Sequence, residues 1–187
     1  PPNDPFETSK LEDRIGMSMS GGGFRAMLFH LGSLWRLNDM GLLPKIARFS
    51  SVSGGSITNG ALAMAWPQLA FDQNGVSANF SELVARPVLA LAKQRVDIPA
   101  ILIGLLPFVS AAKRVAAAYD RAIFKGTTLQ DLPATPRFTF NATNLMTTGL
   151  LRLSPEYAAD YRVGRIERPL LRLADVVAAS SAFPPFL

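Results

Sequence analysis

Apolar and polar positions alternate through Arg14-Ile15-Gly16-Met17-Ser18-Met19 and then close up, which predicts a first strand. After Ser20-Gly21-Gly22-Gly23 the period changes. From Phe24 the apolar residues Met27, Leu28, Leu31, Leu34, Trp35 and Leu37 recur at helical spacing, and Gly41 supplies a C-terminal cap ahead of Pro44. The same order returns at once: residues 46–52 read as a second strand, and residues 56–66 as a helix of small residues stopped by Pro67. Two consecutive strand-to-helix units predict a parallel sheet covered by helices.

The middle of the chain follows another pattern. Residues 67–136 are helical in character, with Ser81-Glu82-Leu83 opening one segment and residues 111–124 forming a later one, but Pro87, Pro99 and Pro107 interrupt them. Residues 98–112 make a run of fifteen without a charge, flanked by Arg95 and Asp97 on one side and by Lys113 and Arg114 on the other. A membrane span needs about 20 such residues. A lid, a partly buried hairpin or an interfacial segment is therefore preferred to a transmembrane helix, and a buried core helix is an equally open reading. The sheet is expected to resume at residues 137–143, with residues 150–153 as a hairpin partner, and residues 170–182 form an alanine-rich helix. Residues 1–12 read as a polar surface lead-in.

Composition adds limits to this outline. The chain has 187 residues, of which 49% are hydrophobic, enough for one globular domain with a core. Nineteen Lys and Arg against fourteen Asp and Glu leave a formal charge of +5, which suits an anionic partner. The arginines are scattered from Arg14 to Arg172, and no nucleic-acid-binding motif accompanies them, so an acidic lipid surface fits better than nucleic acid. The absence of cysteine rules out disulfides and thiolate metal sites but leaves the compartment open: cytoplasmic, peripheral at a membrane, or secreted. The apolar end Phe183-Pro184-Pro185-Phe186-Leu187 is expected to be covered by further chain, which marks the sequence as a fragment.

Two turns carry the candidate chemistry. Ser51-Val52-Ser53-Gly54-Gly55 lies between an apolar strand and a helix, where a sharp strained turn lifts a nucleophilic serine above a sheet. Ser53 would sit at the helix N-terminus, with the N–H of Gly54 free to donate to an oxyanion. An ordinary Ser/Gly loop between strand and helix is the competing reading. The other turn, Gly21-Gly22-Gly23, opens a helix and permits backbone angles forbidden to other residues, so that several N–H groups converge on one point. Such a loop binds anions: a phosphate, although neither nucleotide-binding glycine pattern is present, or the oxyanion formed by attack of Ser53.

Three segments resemble the patatin-like phospholipases. Ser20-Gly21-Gly22-Gly23-Phe24-Arg25-Ala26 is similar to their D-G-G-G-x-R-G oxyanion loop, residues 51–55 to their nucleophile elbow, and Ala179-Ser180-Ser181-Ala182-Phe183-Pro184 to the A-S-x-A-x-P segment that precedes their catalytic aspartate. The departures are Ser20 for Asp, Ala26 for Gly and Ser51 for Gly. The resemblance implies a single α/β domain across residues 1–187, a three-layer α/β/α fold with a mainly parallel central sheet and a helical insertion at residues 67–136. It implies a lipid acyl hydrolase that cleaves fatty-acyl esters of phospholipids or similar lipids through an acyl-enzyme, at the surface of an anionic membrane, with no metal and no cofactor. Ser53 would be the nucleophile, Gly21, Gly22, Gly23 and Gly54 the oxyanion hole, and Arg25 a support for the glycine loop.

A Ser-Asp dyad needs no histidine. The single His30 lies about two turns into the first helix and reads as a packed residue, not as the base of a triad. By resemblance the base is an aspartate in a D-G-[GA] motif beyond Leu187, in the C-terminal remainder of the protein. Asp175 reads as a helix N-terminal acid, and Asp120, Asp131 and Asp160 as solvated charges. A catalytically silent lipid-binding module and a nucleotide-binding domain are the rival readings.

Overall fold

The computed structural model describes residues 13–93 and 111–182. The polar lead-in, the charge-free block up to Ser110 and the apolar end from Phe183 lie outside the described residues. Six strands form one sheet in chain order: β1 (Ile15–Met19), β2 (Ile46–Val52), β3 (Arg137–Asn144), β4 (Gly149–Leu153), β5 (Tyr157–Asp160) and β6 (Gly164–Glu167). The first three are parallel, and the last three continue as an antiparallel meander.

The parallel half is built from the two predicted strand-to-helix units. Helix α1 (Gly23–Asp39) follows β1, and α2 (Gly54–Ala65) follows β2. Gly41, with φ of 64°, closes α1 as its sequence position suggested. A β-bulge between Ile15 and Gly16 shifts the pairing so that Ile46 and Phe49 both point into the core despite their odd separation. Phe49 and Phe138 then stack at 5.1 Å across neighbouring strands, and Trp66 lies edge-on to both. Met19, Met27, Leu31, Leu34 and Ile57 complete the layer between the sheet and the helices. Trp66 is thus a core residue, whereas Trp35 packs on Phe80 and remains part exposed.

The middle segment joins the same helical layer. A π-helical turn (Ser81–Ala85) leads into α3 (Arg86–Lys93), and α4 (Ala111–Tyr119) ends in another (Asp120–Phe124). Helix α3 packs on α1 and α2, and α4 on α5 (Leu173–Ser181), which in turn meets α2 and β3. Pro87 follows directly on the π-turn, in which the Arg86 N–H donates to the Ser81 carbonyl oxygen, and the helix continues past it. No helix among the described residues is long and apolar enough to cross a membrane. The other sheet face presents Gly16, Ser18, Arg48, Val52, Arg137 and Thr143, all exposed.

Strands β5 and β6 were not foreseen. Each is four residues long, and the alternation of Arg165-Ile166-Glu167 in β6 is too short to stand out, while Tyr157-Ala158-Ala159-Asp160 in β5 does not alternate. Asp160 also departs from expectation. It is buried at the end of β5, where its carboxylate accepts hydrogen bonds from Thr147 Oγ1 (2.6 Å), Asn144 Nδ2 (2.8 Å) and the N–H of Arg162 (2.8 Å). The Thr147 hydroxyl first, and then the Arg162 N–H, hold its pKa below the ordinary carboxylate range. Asp175 behaves as predicted, in the first turn of α5 and paired with Arg172.

Phe138→Ala is expected to lower the unfolding free energy by about 3–5 kcal/mol in chemical denaturation, because it empties the centre of the sheet-helix layer. Asp160 has a depressed native pKa, so its contribution to stability is present above the ordinary carboxylate pKa and is lost as pH falls through the native value. Thermal melts across that acid range should therefore be less pH-dependent in Asp160→Asn than in the unsubstituted protein.

Candidate active site

Strands β1 and β2 pair in parallel with Met19 opposite Ser51, so the turns that follow them emerge side by side at one end of the sheet. The structure brings the two predicted turns into direct contact. A methyl group added to Gly21 would stand 3.0 Å from Ser53 Cβ, one added to Gly54 would collide with the carbonyl oxygen of Gly23, and one added to Gly55 would lie 2.7 Å from the Met19 carbonyl oxygen. Gly54 and Gly55 leave no room for a side chain because backbone approaches backbone, and at Gly21 a side chain would press on Ser53. Gly22 and Gly23, with φ of 138° and 61°, turn the chain from β1 into α1.

Ser53 itself has φ of 55° and ψ of −126°, a conformation that costs a non-glycine residue roughly 1–3 kcal/mol. The turn is held in it from a distant part of the chain. The Ser53 N–H donates to the carbonyl oxygen of Ser180 (3.2 Å) and to Ser180 Oγ (3.0 Å) at the C-terminal end of α5. The Ser53 N–H is therefore already used. The N–H groups of Gly21, Gly22 and Gly54 donate to no carbonyl among the described residues. They are unpaired donors on the same two turns as the half-buried Ser53 side chain.

Beneath the turn runs a buried chain of hydroxyls. Ser180 Oγ donates to the carbonyl oxygen of Asn141 (2.6 Å), so its only proton is committed there. Ser56 Oγ then donates to Ser180 Oγ (2.8 Å), and the Ser51 hydroxyl has two acceptors in reach, Ser56 Oγ (2.9 Å) and the Thr139 carbonyl oxygen (3.3 Å). Asn59 Nδ2 begins the chain by donating to Ser51 Oγ (2.9 Å) and to the Thr139 carbonyl oxygen. The Asn59 Oδ1 is the one buried polar atom left without a partner among the described residues. Asn141 ties the neighbouring strands by donating from Nδ2 to Ser50 Oγ and to the Ser51 carbonyl oxygen.

Sequence reading missed Ser56, Asn59, Asn141 and Ser180 as parts of the site. A signal was present: Ser51 stands where the related motif has glycine, and a hydroxyl buried at a strand-helix crossing requires a partner. His30 is buried, and its Nε2 donates to the Ser20 carbonyl oxygen (3.1 Å) with Ser20 Oγ at 3.3 Å. It anchors the start of the glycine loop and does not reach Ser53 among the bonds observed. Arg25 is exposed and makes no hydrogen bond or ion pair with a described residue. The Ser53 hydroxyl has no hydrogen-bond partner among the described residues. Clefts lined by Ile15, Ile46, Trp66 and Pro136, and by Arg48, Arg137 and Glu156, open at the opposite end of the parallel strands.

Human GIVD cytosolic phospholipase A2, solved in complex with methyl gamma-linolenyl fluorophosphonate, is similar over 90% of this chain with 18% identity and a TM-score of 0.63. The same enzyme solved without that ligand is similar with 19% identity over 90% of the chain and a TM-score of 0.53. The chain spans 29% and 28% of the lengths of those two structures. At this identity the likeness establishes the α/β fold. No curated protein sequence matches. The family model described as patatin-like phospholipase matches residues 17–187, which takes in both glycine turns, the hydroxyl chain and α5, and the chain therefore belongs to the patatin-like phospholipase family.

Proposed function

We propose that the protein of which this chain forms part is a lipid acyl hydrolase of the phospholipase A or lysophospholipase type, with Ser53 as nucleophile. The observation that carries this reading is the contact of Gly21 with Ser53: the only strained serine in the described fold lies against a loop whose N–H groups are unpaired. In this mechanism Ser53 Oγ attacks the acyl carbonyl carbon of the ester and loses its proton to a carboxylate base. The N–H groups of Gly21, Gly22 and Gly54 receive the oxyanion, with the loop completed by Gly23. Collapse of the tetrahedral intermediate expels the alcohol, which takes the proton back, and leaves an acyl-serine that water hydrolyses by the same steps.

The base is proposed to be an aspartate that follows Leu187 in the intact protein. Ser180 supports this placement, because it is bonded to the Ser53 N–H and so the chain leaves α5 from beside the nucleophile. Arg25 is assigned to the loop by family resemblance and could meet only a group outside the described residues.

Incubation of the intact protein with an alkyl fluorophosphonate should label it covalently, and Ser53→Ala should abolish both labelling and ester hydrolysis. Labelling that persists in Ser53→Ala would overturn the assignment. Ser180→Ala is expected to lower stability by about 1–3 kcal/mol. It should reduce kcat more than it raises KM, since it loosens the turn that aims Ser53. Ser180→Thr, which keeps the hydroxyl, should recover part of kcat.

A further inference from the structure

The antiparallel extension of the sheet places an exposed apolar surface at the same end of the molecule as Ser53. Val52 is level with Asn141 in the neighbouring strand, and β3 runs three residues further before it turns. At about 3.3 Å per residue the β3–β4 turn stands roughly 10 Å past the level of Val52. The β5–β6 turn lies beside it, because Asp160 is level with Leu151 and Leu151 with Ala142.

The tips are built of residues that a soluble turn does not need. Leu145 and Met146 are 72% and 96% exposed in one turn, and Tyr161 and Val163 are 57% and 71% exposed in the other. Single exposed apolar residues are ordinary, but four on two adjoining tips form a patch. Between residues 143 and 153, and between 157 and 166, the one carboxylate is Asp160, which is buried and consumed by the turns themselves. Arg162 is exposed at the tip and lies over the Tyr161 ring at 5.3 Å, whereas Arg165 on the next strand is paired with Glu167 (2.6 Å). The surface is therefore apolar, with an aromatic ring and the single exposed cation Arg162 at its margin and no exposed carboxylate on the tips, a composition suited to the headgroup region of an anionic bilayer.

The tips are also preformed. Asp160 accepts from both turns, and the Arg162 guanidinium donates from Nη1 to the Thr147 carbonyl oxygen and from Nε to the Tyr161 hydroxyl. Ordering these loops on contact with a surface is thus largely unnecessary.

We propose that the β3–β4 and β5–β6 turns form a docking surface for an anionic lipid bilayer, with Leu145, Met146, Tyr161 and Val163 entering the interface and Arg162 meeting lipid phosphate. The proposal rests on the acyl hydrolase reading above for its purpose, since docking at this end turns the Ser53 site toward the layer that holds the substrate. The binding experiment does not depend on that reading.

The test compares the intact protein with Leu145→Asp/Met146→Asp, Val163→Asp and Arg162→Gln, and with Leu170→Asp as a control. Leu170 is 84% exposed and follows β6 at the opposite end of the sheet. Flotation with phosphatidylcholine vesicles, with and without phosphatidylserine, is read alongside turnover of a soluble short-chain ester. The two tip-acid variants should lose about tenfold or more in vesicle binding, and Arg162→Gln should lose the preference for phosphatidylserine. Leu170→Asp should bind as before, and soluble-ester turnover should be unchanged in all four. Vesicle binding that the tip variants leave intact, or that Leu170→Asp reduces equally, would overturn the proposal, as would a tip variant that instead dissolves a dimer with no effect on vesicles. Absence of soluble-ester turnover in the unsubstituted protein would count against the hydrolase reading alone, because flotation still reports the docking.

Discussion

The site depends on the closeness with which two backbone turns approach each other. Parallel pairing of β1 and β2 sets the strands one hydrogen-bond spacing apart, and both chains must then turn into helices within the same small space. The Met19 carbonyl oxygen lies where a side chain on Gly55 would be, the Gly23 carbonyl where one on Gly54 would be, and Ser53 Cβ where one on Gly21 would be. The glycines are required as much by this contact as by backbone angle. Gly21 and Gly54 lack the positive φ of Gly22 and Gly23, yet a side chain at either would push the loop away from the serine.

That contact does not by itself hold Ser53 in a strained conformation. The restraint comes from α5, which reaches the turn from the far end of the chain and offers both a carbonyl and a hydroxyl to one N–H. The hydroxyls of Ser51, Ser56 and Ser180 share a small volume between β2, β3, α2 and α5, and they are tolerated there because each proton has an acceptor in reach. A serine in place of the glycine common to related elbows is thus compensated by partners on two other elements, α2 and β3. His30 performs a similar service for Ser20, which stands in place of an aspartate at the start of the glycine loop.

The two halves of the sheet divide the work. The parallel half carries Ser53 and both glycine turns, and its core of Phe49, Phe138 and Trp66 leaves it little freedom to shift. The antiparallel half adds reach, since the β3–β4 and β5–β6 turns both lie at the end of the sheet that holds Ser53. The buried carboxylate of Asp160 lets those turns remain ordered while their side chains stay exposed.

Local periodicity and turn chemistry were enough to place β1, α1, β2 and α2, because alternation, the i, i+3, i+4 spacing of Met27, Leu31 and Leu34, and the glycine turns are properties of neighbouring residues. The same local signals singled out Ser53 and the run from Gly21 to Gly23, and the structure puts them in contact. They could not reveal β5 and β6, whose four residues span only two periods of a strand, nor that Asp160 is buried. They also could not show that Ser180 holds a serine 127 positions away, or in which order the hydroxyls share their protons. The residue types and the turns were determined by the sequence, since those depend on near neighbours. Which N–H stays free, which carboxylate is buried and what stands beside Ser53 were decided by the tertiary structure alone, because each depends on atoms that meet only after the sheet has closed the distance between them.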